Sequence, residues 1–488
     1  MCRTARQLLA RAARQQHGRR ILHAALPFIR YSPLATCALT TALAKPARCE
    51  GALVAPVERT KHWRVAKTLG GWSLVTAPVL LWAPLAFLVP WLRERWWRHA
   101  LWAIERCGPT ATKLAQWSAT RPDVFSEAWC VRCGSLQNKT TRATLSLREA
   151  RRTLAEAFPG DTSTTLGAVV GAGCVAHVRR GLRHGQCVAV KLVHPSTRIR
   201  VADDVRALRW LAHFASRVAP RTCEVLDPQG LVEDFATKMQ ASCDMGFESA
   251  ALTRLRRNFA KEKGIVFPEP FLAHAGCLVE SFESGVPLSE AMPTLDEEMR
   301  KRVARRGLRA LLKMLFADNY VHGDLHAGNL LLRFGDADFD LIILDAGLMI
   351  ELSKRDRRNF IDLFGAVVQR DGRRAGELIA KRATHCGSAD TAAFVAELDA
   401  LVKQATLKGV TLRELRVAAL LNDVLAVCRR HRIRLEANFA TTVVAIAVVE
   451  GIGRQLDPEL DLLREAGPFL ARAAVQGARA TYLYRYVA

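Results

Sequence analysis

From Leu69 to Leu92 the chain carries no charged residue, and the run is closed by Lys67 on one side and Arg93 on the other. About twenty apolar residues in helical form cross a bilayer core of ~30 Å. Trp72, Trp82 and Trp91 suit membrane–water interfaces, and basic residues flank both ends. Pro78, Pro84 and Pro90 each remove a backbone donor, which membrane helices tolerate better than soluble ones. The pattern predicts a transmembrane or membrane-inserted segment over 69–92. A hairpin dipping into one leaflet and a buried helix of the folded body remain open. Orientation is not legible, because Lys61, Arg64 and Lys67 balance Arg93, Arg95 and Arg98.

Residues 93–160 then read as helices, and a strand-like alternation follows. Leu166 to Val178 is a small-residue turn, Gly171-Ala172-Gly173-Cys174, between β-branched runs, and Cys187-Val-Ala-Val-Lys191 is a strand that ends in a lysine. Arg305–Phe316 has helical amphipathicity and leads into Tyr320-Val-His-Gly-Asp-Leu-His-Ala-Gly-Asn329. The apolar stretch Phe339–Leu344 predicts a further strand, which delivers Asp345-Ala-Gly347.

Composition changes the picture at the N-terminus. The 488 residues are half apolar and 24% charged, with a net charge of +24. Such an excess points to nucleic acid or to an anionic membrane surface. No zinc-finger spacing, RNP motif or basic helix feeding heptads is present, so the reading is a membrane and no nucleic acid. Residues 1–49 contain no Asp or Glu but many arginines, and Arg6-Gln-Leu-Leu-Ala-Arg-Ala-Ala-Arg14 can form an amphipathic turn. That is transit-peptide composition, and 1–60 is assigned to a mitochondrial transit peptide and linker. Thirteen cysteines at irregular spacings read as reduced, core-packed thiols, and the Cys130/Cys133 C-x-x-C has no second pair to complete a metal site.

The chemistry lies in the order of three features. A Gly-rich turn lets backbone N–H groups approach phosphates, and Lys191 follows it by one hairpin. Asp324 stands five residues before Asn329, and Asp345 closes a strand with a glycine two residues on. Kinases use this arrangement, with one carboxylate orienting the acceptor and two side-chain oxygens holding Mg²⁺. The expectation is an α+β, bilobal protein-kinase-like fold. Its N-lobe spans 161–283 and its C-lobe 284–475, with a tail at 476–488. A helical extension, the membrane segment and the transit peptide precede it.

At these residues the chain resembles the UbiB / aarF-domain (ADCK) atypical kinases. Lys113-Leu-Ala-Gln116 with the following Ser118-Ala-Thr-Arg-Pro-Asp123 resembles the family's K-x-G-Q signature, and Val321–Asn329 resembles its H-A-D-x-H-P-G-N loop. Val279-Glu280-Ser-Phe-Glu-Ser-Gly is similar to the hinge segment, and Val449-Glu-Gly-Ile through Leu456-Asp-Pro also matches. The resemblance implies an extension over the cleft, ATP and Mg²⁺ as cofactors, and a role in ubiquinone biosynthesis or mitochondrial lipid metabolism. It implies Lys191 on the phosphates with Glu248 paired to it, Gly171, Ala172, Gly173 and Glu280 around the nucleotide, Asp324 as catalytic base, and Asn329 and Asp345 on the metal. Partners would be a lipid or quinone-related substrate, the inner mitochondrial membrane and ubiquinone-biosynthetic proteins. The sequence departs from the family at Ala115, at Ala346 and at Ser242, where the family carries a glutamate that partners Lys113. The alternative reading is a scaffold or chaperone that binds ATP without useful turnover. A fluorescent reporter fused to residues 1–49 is expected to enter mitochondria; a cytosolic signal would remove the targeting assignment.

Overall fold

The computed structural model describes residues 62–476, apart from 138–143, 221–222, 224–226, 337, 384, 387–390, 408–416 and 436. The transit-peptide segment and all but the first residue of the tail lie outside the described residues. The fold is α+β.

The charge-free run does not form a single element. Helix α1 spans His62–Leu88 with Pro78 and Pro84 inside it, the chain turns at Val89, and Pro90 opens α2, Pro90–Cys107. Trp91 and Leu92 therefore belong to the returning helix. The two helices share a core of Val79, Ala83, Ala86, Trp96, Trp97 and Ala100. Gly108 then adopts φ 107°, a left-handed conformation open to glycine, with the Arg200 guanidinium 2.5 Å from where a Cβ would stand. It leads into α3, Pro109–Ala119, then α4, Glu127–Gly134, and α5, Leu147–Ala157, which Ser146 and Glu149 start with a capping box.

The first sheet is antiparallel. It comprises β1 (Thr164–Ala172), β2 (Ala176–Arg183), β3 (Gln186–Val193), β5 (Pro270–His274) and β6 (Cys277–Ser281), in the order β1-β2-β3-β6-β5. Val188, Val190, Cys277 and Val279 pack beneath Leu145 and Leu154, beside α5. Alternation turns Lys191, Leu278 and Glu280 to the other face, toward α6 (Pro195–Val218), α7 (Pro228–Ser242) and α8 (Met245–Asn258). A second sheet orders β4 (Ile265–Val266), β10 (Phe339–Ile343), β9 (Leu330–Phe334) and β7 (Val286–Pro287). In it β4 runs parallel to β10, so a strand from the first lobe's chain segment completes the second lobe's sheet. This crosses the lobe boundary expected at 283/284.

Helices α9 (Leu288–Ala291) and α10 (Glu297–Leu312) follow β7, and α10 ends in a π-helical turn, Lys313–Ala317. Strand β8 (Val321–His322) pairs with β11 (Met349–Ile350). Helices α11 (Lys354–Val368), α12 (Gly372–Arg382), α13 (Thr391–Leu407), α14 (Val417–Arg430), α15 (Ala437–Leu456) and α16 (Leu462–Gln476) complete the main core, and β12 (His385–Cys386) pairs with β13 (Ile433–Arg434).

The extension contains a buried ion pair and touches both lobes, at Lys238 and at Arg429. Arg121 and Asp123 form a bidentate pair at 2.9 and 2.8 Å with both side chains fully buried. The Trp117 ring lies 5.8 Å from Arg121 and 5.9 Å from the Lys238 ammonium, and Lys238 donates to Thr441 Oγ1 at 3.2 Å. Arg429 of α14 donates to the Phe125 carbonyl at 2.5 Å. Removing one member of such a pair strands the other charge, so Asp123→Ala is expected to cost about 3–5 kcal/mol. Chemical denaturation reads this, and a cost below about 1 kcal/mol would mean that the pair is not structural.

Candidate functional site

Strand β3 does not end at Lys191, as the sequence predicts, but stays paired to β2 through Val193, and the Lys191 ammonium is buried among carboxylates. It forms an ion pair with Glu248 Oε1, lies 3.1 Å from Glu280 Oε1, and donates to the Leu344 carbonyl at 3.1 Å. Glu248 stands in the first turn of α8, where Asp244 Oδ1 caps the helix through the Gly246 N–H at 2.9 Å. Its carboxylate also accepts from the Ala346 N–H. The lysine and its glutamate therefore clasp the Leu344-Asp345-Ala346 segment from both sides. Burial disfavours the charged lysine, but Glu248, Glu280 and Asp345 together hold it protonated. Three carboxylates around one lysine leave surplus negative charge. Burial first, then Asp345, push the Glu248 carboxyl up against the pull of Lys191. Glu280 is raised to about 7, chiefly by burial and further by Glu248 and Asp345, with Lys191 opposing. Asp345 lies below the ordinary carboxylate range although burial raises it, because Lys191, His322, the Gly347 N–H and Lys113 favour its charged form.

The β9–β10 hairpin sets Asn329 beside Asp345. Leu330 pairs with Ile343, and the Leu344 N–H donates to the Asn329 carbonyl at 3.0 Å. Asp345 Oδ1 accepts from the Gly347 N–H at 2.7 Å. His322 joins the two loops: its Nδ1 accepts from the Asp324 N–H at 3.1 Å, so Nε2 carries the proton and donates to the Asp345 carbonyl at 2.6 Å. The Asp324 carboxylate and the Asn329 amide make no hydrogen bond among the described residues, and the Asn329 amide nitrogen is buried without a partner. Among the described residues no three His, Cys, Asp or Glu side chains come together to cage a metal. An amide and a carboxylate without a cage fit Mg²⁺, which keeps waters and phosphate oxygens as its other ligands. The surplus negative charge fits a cation as well.

The small-residue turn is tighter than its sequence suggests. Strand β1 runs on through Gly171 and Ala172, and the Gly173 N–H donates to the Ala176 carbonyl at 2.8 Å. Added Cβ atoms at Gly171 and Gly173 would stand 3.9 and 3.5 Å from their nearest neighbours, so the protein's own packing does not demand glycine at either position. The extension reaches this turn: Gln116 Nε2 donates to the Leu136 carbonyl at 3.0 Å and lies 3.9 Å from Cys174 Sγ. Lys113 makes no ion pair among the described residues, yet it is near enough to Asp345 to favour that carboxylate. Ser242, where the resemblance calls for a glutamate, donates to the Lys238 carbonyl at 3.0 Å. Thr110 docks the start of α3 by donating to buried Asp204 at 2.7 Å.

Lys191, Glu248, Glu280 and Asp345 thus form one cluster, to which the β9–β10 hairpin ties Asn329 and His322 ties Asp324, while Gln116 of the extension reaches the glycine turn at Cys174. The sequence reading missed two features. Glu280 is a buried counter-ion of Lys191, and the signal was its parity with Leu278, which pairs with Lys191 across β3–β6. The connection at Glu283 is held to the second lobe by Arg333 at 2.8 Å, and Arg333 also binds Asp340. No local pattern marks that contact.

A twisted antiparallel sheet bearing a paired lysine, set against a loop and a strand end that present Asp, Asn and Asp, defines a kinase-like protein. An ABC1 atypical kinase-like domain matches residues 166–379 and a UbiB helical domain matches residues 404–461, so the chain belongs to the ABC1/UbiB atypical kinase family. It is 29% identical to a mitochondrial ABC1 family protein of Saccharomyces cerevisiae, over 75% of this chain and 66% of that one. It is 27% identical to a mitochondrial ABC1 family protein of Schizosaccharomyces pombe, over 82% and 70%. It is 26% identical to a protein named probable protein kinase UbiB of Aeromonas salmonicida, over 75% and 68%. The chain spans about two thirds of the length of these relatives. A solved Mycobacterium tuberculosis structure in complex with erythromycin matches with a TM-score of 0.49 and 16% identity, over 64% of this chain and 80% of that one.

The carboxylate surplus has a measurable consequence. Glu280 has an ordinary value of 4.5 and is raised to about 7 in the fold. Its contribution to stability is therefore complete below about pH 4.5 and is lost as pH climbs to about 7. Subtracting the pH–stability curve of Glu280→Gln from that of the wild type should leave a term that falls across this window and is flat above it. A level difference would take Glu280 out of the cluster.

Proposed function

We propose that this chain is an ATP- and magnesium-binding atypical kinase or ATPase of mitochondria, acting at the inner membrane in support of ubiquinone biosynthesis or mitochondrial lipid metabolism. The observation that carries the nucleotide reading is the clasp of Lys191 and Glu248 on Leu344–Ala346, which sets Asp345 beside Asn329 with the Asn329 amide unengaged. The names of the relatives, mitochondrial ABC1 family proteins and UbiB kinases, support the setting.

In this reading Lys191 turns from its carboxylates to the α- and β-phosphates, and Glu248 keeps it oriented. The Gly171–Gly173 turn offers backbone N–H groups to the phosphates, and Glu280 closes the back of the cleft. Asn329 and Asp345 would hold Mg²⁺, which supplies charge neutralisation for phosphoryl transfer. Asp324, with its carboxylate free and its backbone fixed by His322, would orient the acceptor and take its proton. Lys113, freed of a glutamate partner by Ser242, brings a further positive charge to the cleft.

A ligand that binds only the folded state stabilises it by about 2.7 kcal/mol at a hundredfold excess over Kd. Mg-ATP should raise the melting temperature of the purified protein clearly, and ATP with a chelator should raise it less. Asp345→Asn should abolish the magnesium-dependent part, and Lys191→Ala should weaken the shift with or without metal. Asp324→Asn should retain the shift and lower turnover alone. An unshifted wild type, or Asp345 and Lys191 variants that respond as wild type, would overturn the nucleotide assignment.

Separately, loss of this chain should lower ubiquinone or disturb fatty-acid use in mitochondria, with rescue by wild type and none by Asp345→Asn. Unchanged quinone and lipid profiles would remove the pathway assignment while leaving the nucleotide site intact.

A further inference from the structure

Among the described residues, exposed large apolar side chains gather on the α1–α2 hairpin. Leu74, Leu81, Leu85 and Leu88 are 81%, 81%, 54% and 79% exposed and fall at helical spacing along one stripe of α1. Between Gly70 and Leu88 that stripe carries no charge. Phe87 and Trp91 extend it around the turn.

The opposite face is fastened to protein along its length. Trp72 Nε1 donates to the Cys107 carbonyl at 3.0 Å, Trp96 Nε1 to the Val79 carbonyl at 2.8 Å and Trp82 Nε1 to His99 Nδ1 at 3.2 Å. Val65, Leu69, Trp72 and Val75 pack with Ala207, Leu208 and Leu211 of α6. That helix carries Asp203 and Asp204, and Arg64 reaches Asp203 at 4.0 Å.

We propose that the hairpin is a one-leaflet anchor for an anionic lipid bilayer, with the α1 stripe lying in the plane of the membrane and not crossing it. A spanning helix needs ~30 Å of hydrocarbon around it. Here the first half of α1 cannot enter hydrocarbon without taking the acidic residues of α6 with it, which is costly. A helix apolar on one side and fastened on the other fits the boundary between headgroups and acyl chains, where such helices sink ~5–10 Å. Charge complementarity selects anionic lipid as the occupant. The exposed side of α2 carries Arg93, Arg95, Arg98 and Arg106 with Glu94. Arg93 lies 5.8 Å from the Phe87 ring, Arg95 5.5 Å from Trp91 and Arg106 5.5 Å from Trp102, each guanidinium beside an aromatic ring. That is the arrangement that carries a cation from an apolar layer to phosphate headgroups. The inference takes only its mitochondrial setting from the function proposed above.

The test is flotation of the full chain with vesicles of phosphatidylcholine, with or without phosphatidylglycerol. The wild type should float, more strongly with the anionic lipid. Changing Leu81, Leu85 and Leu88 together to Glu should lower partitioning about tenfold or more. Changing Arg93 and Arg95 to Glu should remove the preference for phosphatidylglycerol and spare binding to neutral vesicles. Retention of the Mg-ATP melting shift in these variants certifies their fold and tests the nucleotide reading independently. In sealed proteoliposomes, epitopes placed before His62 and at the C-terminus should be reached from the same side. Epitopes on opposite sides would establish a span and overturn the proposal. So would a wild type that stays with the pellet, a leucine variant that floats as wild type does, or a self-association lost in the leucine variant with no lipid binding.

Discussion

One lysine cannot neutralise three clustered carboxylates, two of them buried, and the centre of this protein is built around that imbalance. Lys191 is held by Glu248 and Glu280 and is felt by Asp345, each arriving from a different element. Burying charge is expensive unless every member is engaged, and here the engagement is incomplete, since Glu280 Oε2 has no partner. The arrangement persists because surrounding packing leaves these groups no other place. Val188, Val190 and Val279 fasten the sheet on one side, and Leu252 and Leu255 of α8 fasten the helix that carries Glu248.

Everything near the cleft is oriented through that cluster. Lys191 grips the Leu344 carbonyl, Glu248 accepts from Ala346, and His322 donates to the Asp345 carbonyl, so the three-residue segment is held at each peptide. Ala346 is therefore sufficient where the family pattern has phenylalanine: the backbone is fixed by hydrogen bonds, and the small side chain is itself buried. Ala115 is buried in the hairpin core in the same way, and a methyl group there is packed and not excluded. The extension keeps its place through Thr110–Asp204, the Trp117 ring beside Lys238 and Arg429 on Phe125, none of which involves Lys113. Loss of the glutamate at position 242 thus releases Lys113 without releasing the extension.

Much of the fold and site was legible in the residues themselves. A Gly-rich turn, an apolar strand carrying a lysine, an Asp–Asn pair at spacing five and an apolar strand followed by Asp-x-Gly are local patterns. Local patterns are set by backbone conformation and by the parity of strands, so their order pointed to the kinase-like core. The helical character of 93–160 and the apolarity of 69–92 followed from composition alone.

Tertiary structure decided what no local pattern encodes. Whether Glu280 faces a hinge or a lysine depends on which strand lies beside it, and the β3–β6 register turned it to Lys191. Whether Leu69–Leu92 is one helix depended on a turn at Val89 and on partners far along the chain: Cys107 on Trp72, and Ala207 of α6 beneath it. The joining of the lobes by β4 and by Arg333 on Glu283 likewise pairs segments separated by tens of residues. The physical reason is the same in each case. The sequence sets each residue's chemistry and the periodicity of its own element, whereas burial and charge pairing are properties of two surfaces, and the second surface is supplied by the fold.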